Sequence, residues 1–269
     1  MLRKMCVTAT LGVALAAGLV AQGRDQGRSS DSSCDDRYGG RRASHCEMRE
    51  DTVGSANPLD VDASPNGGIH IYGWDRAEVH VRSKVMAQAK TEADARRIVS
   101  GVRIDTSGGR VHAEGPTTTD EDESWSVSFD IHVPRTMMLT LTTRNGGIAI
   151  DDFRGTAKFK TTNGGVSLRN VGGDLHGETS NGGVSVDLDG DHWDGAGLDV
   201  ETHNGGVKMS LPANYSGELE TGTVNGRINI DFPVNVQGRL DQHITTTLGA
   251  GGPKIRAMTT NGGVTIRRR

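Results

Sequence analysis

The sequence is short of aromatic residues and carries no large excess of either charge. Aromatic residues make up 4% of its 269 residues, and the formal net charge is -4, with no basic stripe along the chain. Nucleic-acid-binding domains usually display a basic patch, so this composition argues against a nucleic-acid partner. The Gly-x-Ser-x-Gly, His-Glu-x-x-His, phosphate-loop and dinucleotide signatures are also missing, so no motif indicates an enzyme or a cofactor.

Only one long apolar run is present, and it lies at the start of the chain. Arg3 and Lys4 precede an apolar stretch at residues 6–20, and Ala21 follows it. This run falls short of the roughly 20 residues that span a bilayer, whereas its basic start and small final residue are typical of a secretory signal peptide. We therefore predict a signal peptide at residues 1–21, export to the periplasm or the cell surface, and no transmembrane segment in the mature chain.

Cysteine is scarce as well. Cys6 lies within the predicted signal peptide, so the mature chain retains Cys34 and Cys46. In an oxidising compartment we expect these two to form a disulfide, which would contribute about 3 kcal/mol. The surrounding residues 22–54 are rich in Ser, Asp, Arg and Gly, which predicts a disordered segment apart from the disulfide loop. Zinc binding with His45 is disfavoured, because adjacent ligands have poor geometry.

Glycine, in contrast, is abundant, and much of it falls in a repeated motif. The triplet Asn-Gly-Gly occurs six times, and a seventh copy reads Asn-Gly-Arg. Thr lies two residues before the Asn in every copy except the first, which has Ser64. The asparagines, all of which we predict to lie at structural turns, are Asn66, Asn145, Asn163, Asn181, Asn204, Asn225 and Asn261.

The residues on both sides of each triplet alternate between apolar and polar, which indicates strands that are buried on one face. Before Asn163, for example, Phe159 is apolar, whereas Lys158 and Lys160 are expected to face water. The Asn-Gly pair itself favours a tight turn, because Gly and Asn tolerate the positive φ angles that such a turn requires.

Two all-β architectures fit this pattern. One is a β-meander of Asn-Gly hairpins, and the other is a β-solenoid, in which equivalent residues of successive coils stack on one another. The copies at Asn145, Asn163 and Asn181 follow one another at intervals of eighteen residues in the same phase. Stacking would turn this phase into ladders of Thr, Asn and aliphatic residues. We therefore predict a single-chain β-solenoid over residues 55–269.

One segment breaks the strand pattern. Residues 91–100 are rich in helix formers, and Thr91 with Asp94 resembles a capping box. We predict one short helix there, covering an end of the solenoid, where exposed strand edges need a cap. Strands are predicted to follow around residues 102–105, 109–113 and 124–133.

The repeat and its context resemble a known family. The pattern Thr-x-Asn-Gly-Gly-Val-x-Val, the exported N-terminus and the segment Gly73-Trp74-Asp75 are similar to those of the putative bacterial adhesin family, which consists of exported β-strand-repeat proteins of unknown function. The resemblance covers about residues 55–269 and implies a right-handed β-helix. It implies no catalytic or ligand-binding residues, because the shared positions are turn and core residues.

An acidic cluster is the best candidate for a metal site. Its carboxylates belong to Asp187, Asp189, Asp191 and Asp194, and carboxylates at such spacing can converge on calcium. The Gly and Glu that an EF-hand loop requires at its sixth and twelfth positions are missing. We therefore interpret the cluster as a solvated loop and predict no metal site.

Three other carboxylates are candidates for the catalytic groups of a polysaccharide-active solenoid. These are Asp151, Asp152 and Asp174. An Asp after a strand and before a turn usually caps backbone groups, and no acid and base pair stands out. We therefore predict no catalytic residue.

The sequence thus predicts an exported, non-enzymatic β-solenoid that acts as an adhesin or as a structural or binding module of the cell envelope. Its expected partner is an unidentified envelope, glycan or protein ligand. A periplasmic ligand or envelope-stress sensor is one alternative, and a polysaccharide-active enzyme is another. This functional prediction rests on analogy at the level of the fold.

Overall fold

The Asn-Gly-Gly repeats build coils that stack into two β-sheets, called sheet A and sheet B below. A computed structural model describes Cys34 and residues 42–54, 56–118, 120–232 and 242–269. These residues form ten strands in each sheet and one helix, α1 (Glu92–Gly101). Sheet A contains β1 (Ala43–Val53), β3 (Ile69–Trp74), β4 (Val79–Ala89), β7 (Ser124–Pro134), β9 (Ile148–Asp151), β11 (Val166–Arg169), β13 (Val184–Asp187), β15 (Val207–Leu211), β17 (Ile228–Ile230) and β20 (Val264–Arg268). Sheet B contains β2 (Leu59–Asp62), β5 (Arg103–Asp105), β6 (Arg110–Glu114), β8 (Met138–Asn145), β10 (Thr156–Asn163), β12 (Asp174–Asn181), β14 (Gly197–Asn204), β16 (Gly217–Asn225), β18 (His243–Leu248) and β19 (Lys254–Asn261).

Each regular coil gives one strand to each sheet, and the triplet joins the two strands. Neighbouring coils pair in parallel, so that Asn163 lies opposite Asn145 on one side and Asn181 on the other. A meander would instead pair consecutive strands antiparallel across each triplet. The predicted β-solenoid is therefore confirmed, and the alternative meander of Asn-Gly hairpins is wrong.

The apolar positions of the two sheets face each other and form the core. In the coil of β10 and β11, Phe159 and Leu168 are 3% and 0% exposed, respectively. The residues that alternate with these apolar positions along each strand point outward, as the period of two requires. The outer faces of both sheets are therefore lined by the polar residues of the repeats.

Two side-chain ladders tie each coil to the next. The amide of Asn163 donates to Oδ1 of Asn145 at 2.8 Å, and the same bond at 2.8–2.9 Å links all seven asparagines. Beside it, the Thr161 hydroxyl donates to the Gly146 carbonyl at 2.8 Å, and five other copies repeat this contact. The conserved spacing of Thr and Asn within the repeat is thus explained, because each Thr hydroxyl satisfies a carbonyl of the adjacent coil.

The first glycine of the triplet is required by close stacking and not by a left-handed backbone. In five of the seven copies, neither the Asn nor the glycine has a positive φ, and Gly67 and Gly262 are nearly extended at 156° and 159°. A Cβ at Gly164 would lie 2.0 Å from the Gly146 carbonyl oxygen. The expectation that the Asn-Gly pair supplies two positive φ angles was therefore wrong.

The order of the coils in the stack differs from their order in the chain at both ends. At one end, β2 lies between β6 and β8 in sheet B, and β3 lies between β7 and β9 in sheet A. At the other end, β19 lies between β14 and β16, and β20 lies between β15 and β17. At this second end the chain leaves one level empty, forms the next, and later returns to fill the level between, whereas at the first end the middle level of β2 and β3 is formed first.

The predicted helix is confirmed. Thr91 is the N-cap of α1, and its Oγ1 accepts a hydrogen bond from the Asp94 N–H at 3.1 Å. The Arg49 guanidinium donates to the carbonyls of Val99 and Val102 at 2.9 Å and 2.6 Å, which satisfies the C-terminal end of the helix. The buried face of α1, which packs against β1 and β4, consists of Ala95, Ile98 and Val99. Since β1 and β4 are the outermost strands at one end of sheet A, α1 covers that end.

Part of the segment that we expected to be disordered is a strand. Residues 43–53 form β1, which pairs antiparallel with β4 along its whole length, from Ala43 opposite Ala89 to Val53 opposite Val79. Its charged residues are compatible with this position, because an edge strand of a sheet tolerates polar side chains and is protected by them. Apart from Cys34, residues 1–41 lie outside the described residues, and so does the predicted signal peptide.

Candidate functional site

The outer face of sheet B carries a groove between two rows of side chains. Strand register sets both rows across β8, β10, β12 and β14. The groove has a volume of ≈ 450 Å³, and its floor lies at Leu141, Phe159 and Gly177. One wall consists of Thr140, Lys158, His176 and Asp199, and the other consists of Thr142, Lys160, Glu178 and Glu201.

Beneath the floor of the groove, Gly177 packs against the ring of Phe159 in the core. Gly177 occupies a position where neighbouring coils have Phe159 and Val200. A Cβ at Gly177 would lie 1.7 Å from the Phe159 ring, so this ring fills the interior space next to the glycine. Well-packed interiors leave little room for movement, and the backbone beneath the groove is fixed accordingly.

Charge changes sign along the groove. Lys158 is exposed and has no ion pair within the part of the chain that the structure describes. Lys160 pairs with Glu178, and Asp199 accepts a hydrogen bond from Arg256 at 2.6 Å. The groove therefore offers one unpaired ammonium group on β10, and carboxylates on β12 and β14 that are paired with Lys160 and Arg256.

A second polar cluster, here called the histidine cluster, lies on the outer face of sheet A. The carboxylate of Asp151 is 6% exposed. It contacts His70 Nε2 at 2.8 Å, and its Oδ1 accepts a hydrogen bond from Arg169 at 2.9 Å. Burial alone would raise the pKa of Asp151, but the hydrogen bonds from His70 and Arg169 outweigh it and lower this pKa. Tyr72 Oη lies 2.8 Å from His70 Nδ1 and extends the network.

Aromatic rings continue the histidine cluster across β3, β4 and β7. Tyr72 stacks on His132 with ring centroids 4.9 Å apart, and His132 lies 5.1 Å from Trp74 and 6.2 Å from His80. Burial and the neighbouring His80 lower the pKa of His132. The Tyr72 ring is stacked between His70, at 3.9 Å, and His132, whereas Trp74 and His80 lie tilted against His132. We therefore assign this cluster a structural role in holding neighbouring strands together.

The acidic cluster is occupied by an arginine of the same chain. Arg269 Nη2 lies 3.4 Å from both Asp187 Oδ1 and Asp189 Oδ1, and it donates to the Leu188 carbonyl. Asp191 contacts the neighbouring His192 at 2.6 Å. Among the described residues, no group of three or more His, Cys, Asp or Glu side chains is arranged to hold a metal ion.

The three carboxylates considered for catalysis are not brought together. Asp151 belongs to the histidine cluster on sheet A, and Asp152 accepts a hydrogen bond from Asn170. Asp174 begins β12 in sheet B and contacts His176 at 2.9 Å. Each carboxylate thus has its own partner.

The seven asparagines predicted to lie at turns are brought together as the ladder described above. The two cysteines also lie together, since Cys34 and Cys46 are at bonding distance in the structure. Formation of this disulfide in the exported chain stays a prediction. No helix in the described residues has both the length and the apolar character to cross a bilayer.

The alternation in sequence predicted an outward position for some of the groove residues, among them Lys158 and Lys160, but not that they form a site. Lys158 and Lys160 were expected to face water, which is correct. The signal that could have found the groove is the alignment of outward positions in successive repeats, where hydroxyl, amino and carboxylate groups follow one another. Asp151 was noted, but its pairing with His70 depends on strand order and could not be read from the repeat.

These features define a β-solenoid with a polar groove on one outer face. The chain belongs to the Toastrack DUF4097 family, whose model matches residues 64–267. This match covers most of residues 55–269, the region of the family resemblance noted from the sequence.

Several solved structures are similar to the chain at low sequence identity. A putative cell adhesion protein from Clostridium sporogenes is 10% identical, with 84% of this chain and 100% of that chain covered and a TM-score of 0.41. A putative adhesin from Bacteroides fragilis is 9% identical, with 83% and 97% covered and a TM-score of 0.34. A putative lipid binding protein from Parabacteroides distasonis is 8% identical, with 82% and 96% covered and a TM-score of 0.25. No protein of curated function matches the chain.

Proposed function

We propose that the chain is an exported binding module that holds an extended ligand on the outer face of sheet B and catalyses no reaction. One observation carries this proposal. The strand register aligns two rows of polar side chains and leaves a groove of ≈ 450 Å³ between them. This volume is within the range of ligand-binding sites. Because the rows are built on paired strands, the backbone positions that carry their side chains are fixed before a ligand arrives.

The distribution of carboxylates supports binding without catalysis. Glycoside hydrolysis by two carboxylates requires both to flank one scissile bond. Asp151 and Asp174 lie on different sheets, and Asp151 is already bonded to His70 and Arg169. A polysaccharide-active enzyme built on these residues therefore has no support.

Two features support export. The first is the signal peptide predicted at residues 1–21. The second is the proximity of Cys34 and Cys46, because disulfides persist mainly in oxidising compartments outside the cytosol.

Protease shaving of intact cells of the native host tests export and location. An epitope inserted after Gly108 would lie in an exposed turn where a Cβ meets no atom within 4 Å. Loss of the epitope while a periplasmic marker survives would support a surface adhesin. Protection until the outer envelope is opened would support a periplasmic binding module or sensor instead. Fractionation of the epitope with a cytosolic marker would contradict export.

Co-sedimentation with purified envelope fragments and with intact cells tests binding. We expect saturable binding to at least one of these surfaces and no release of reducing sugar ends during incubation. Failure to sediment with either surface contradicts a binding module of the envelope. Release of reducing ends that depends on the protein contradicts the absence of catalysis.

A further inference from the structure

The groove on sheet B runs across the strands, along the direction in which the coils stack. Neighbouring strands lie about 4.8 Å apart, so a ligand in the groove meets a new pair of side chains at each such step. These pairs are Thr140 with Thr142, Lys158 with Lys160, His176 with Glu178, and Asp199 with Glu201. A linear polymer whose unit length is close to the strand spacing can place one unit against each successive pair of side chains. Sugars in an extended glycan chain have a unit length of this order.

Two other polymers fit the groove poorly. A peptide that adds to a sheet needs a free strand edge, but β10 and β12 are each paired on both sides. The groove also offers no Phe, Tyr or Trp on its walls for base stacking, and its carboxylates balance Lys160 and Arg256, so it is not the basic surface that a phosphate backbone needs. Its walls consist of hydroxyl, amino, imidazole and carboxylate groups, which donate and accept hydrogen bonds with the hydroxyls of sugars.

The charges specify where a negative group can lie. Lys158 has no ion pair in the described part of the chain, so it can pair with a carboxylate of a ligand. Lys160 is engaged by Glu178, and Arg256 is engaged by Asp199 and Glu201, so, among the described residues, the steps beyond Lys158 offer no unpaired lysine or arginine to a second negative group. A ligand that carries a carboxylate on every second unit meets both conditions, whereas a carboxylate on every unit does not.

We propose that the groove binds a linear glycan in which carboxylated and neutral sugars alternate. A carboxylate pairs with Lys158, and the hydroxyls of the following neutral sugar bond to the carboxylates of Glu178 and Asp199. The proposal rests on the proposed binding function and deepens it. Two sources carry this chemistry: peptide-free glycan strands of peptidoglycan, with lactyl carboxylates, and external glycans of the hyaluronan type, with uronic acids.

Calorimetric titration of the purified chain with defined glycans tests the proposal. The probes are a hyaluronan octasaccharide, its methyl ester, and peptidoglycan glycan strands freed of peptides by an amidase. We expect at least one of the two acidic glycans to bind, and about tenfold weaker binding by Lys158→Gln, since a charge-assisted hydrogen bond is lost. The methyl ester should bind the wild type as weakly as the acidic glycan binds Lys158→Gln. Preference for one acidic glycan identifies the source.

Lys208→Gln is the matched control. Lys208 is an exposed lysine on the outer face of sheet A, away from the groove, and its replacement should leave binding unchanged. Thr140→Val provides a second variant in the groove that removes a hydroxyl without changing charge, and we expect it to weaken binding by a smaller factor. Unchanged urea midpoints would show that the variants are folded.

Three outcomes would overturn the proposal. These are equal affinity of Lys158→Gln and the wild type, equal affinity for the octasaccharide and its methyl ester, and no binding of either acidic glycan. Co-sedimentation separates this failure from failure of the proposed function. If Lys158→Gln and the wild type bind envelope fragments equally, the module binds through another surface and only the groove assignment fails. If neither binds envelope fragments or cells, the binding function itself is wrong.

Discussion

The first glycine of the triplet should be the residue that tolerates substitution least within a repeat. A Cβ at Gly164 would lie 2.0 Å from the carbonyl oxygen of Gly146 and 2.4 Å from its carbonyl carbon. Both atoms belong to the backbone of the adjacent coil, so no side chain can rotate away. Gly164→Ala must therefore push the two coils apart at this point.

The size of the effect follows from the bonds that cross this contact. The Gly146 N–H donates to the Asn163 carbonyl at 3.0 Å, and the Thr161 hydroxyl donates to the Gly146 carbonyl at 2.8 Å. The Asn163 amide donates to Asn145 at 2.8 Å. A typical hydrogen bond contributes about 0.5–1.5 kcal/mol net, so the weakening of all three predicts a loss of roughly 2–4 kcal/mol.

Urea unfolding of a graded glycine series measures this loss. A Cβ at Gly165 would lie 3.2 Å from the Gly183 carbonyl oxygen, so Gly165→Ala should cost less than Gly164→Ala. A Cβ at Gly54 meets no atom within 4 Å, and Gly54→Ala should stay within about 0.5 kcal/mol of the wild type. Fluorescence and circular dichroism should be recorded together, because long repeat arrays can depart from two-state unfolding.

A further variant separates close stacking from a requirement for positive φ. Asn tolerates a left-handed backbone far better than Ala does, so Gly164→Asn would be the milder change if φ were the cause. Close stacking predicts that Asn and Ala are both damaging. A stable Gly164→Asn variant, or equal midpoints for Gly164→Ala and Gly54→Ala, would refute the reasoning.

Three other perturbations have defined outcomes. Thr161→Val should lower the free energy of unfolding by about 1 kcal/mol in urea titrations, because a cross-coil hydrogen bond is lost, while the outward Thr140→Val should have little effect. Asp151 has a lowered folded-state pKa, so its contribution to stability is present above the unfolded-state pKa of about 3.9 and is lost as the pH falls through the folded value. Urea midpoints should be measured against pH. We expect Asp151→Asn to be less stable than the wild type at pH 7 and the difference to shrink in acid. A difference that does not depend on pH would contradict this assignment. Arg49→Gln should speed amide hydrogen exchange in α1 by removing its C-terminal partner, and the exposed Arg96→Gln should not; equal exchange in the two variants would argue against the capping role.

The repeat carried most of the information needed to predict the fold. Period two around Asn163 and the constant phase of neighbouring copies indicated parallel stacking, because equivalent residues can form ladders only when coils lie directly on one another. The capping pattern at Thr91 located α1 because it depends on local chemistry alone. The strands predicted around residues 102–105, 109–113 and 124–133 agree closely with β5, β6 and β7.

The order of the coils in the stack could not be predicted from the sequence. All regular coils carry the same motif, so nothing local shows that β19 lies between β14 and β16. The strand β1 was missed because it is an edge strand, whose stability comes from pairing with β4 and not from an apolar face of its own. The role of Gly164 was misread because an Asn-Gly pair is compatible with both a tight turn and close stacking.

The candidate site was predictable only in part. The alternation of residues correctly placed Lys158 and Lys160 on an outer face. The groove, however, depends on which coils are neighbours and on the pairing of charges between coils, such as Lys160 with Glu178. Opposite charges at equivalent positions of adjacent repeats are meaningful only once those repeats are known to stack.

The return of β19 and β20 into an inner level of the stack constrains how such a protein can change length during evolution. Repeat proteins commonly gain or lose units at an end, where one unit touches only one neighbour. Here, deletion of residues 254–268 would remove a layer that has a neighbour on each side and would separate the coil of β16 and β17 from the rest. Duplication of a unit is compatible with the fold in the regular region around Asn145, Asn163 and Asn181. We therefore expect relatives of different length to vary in the number of central coils and to keep both interleaved ends.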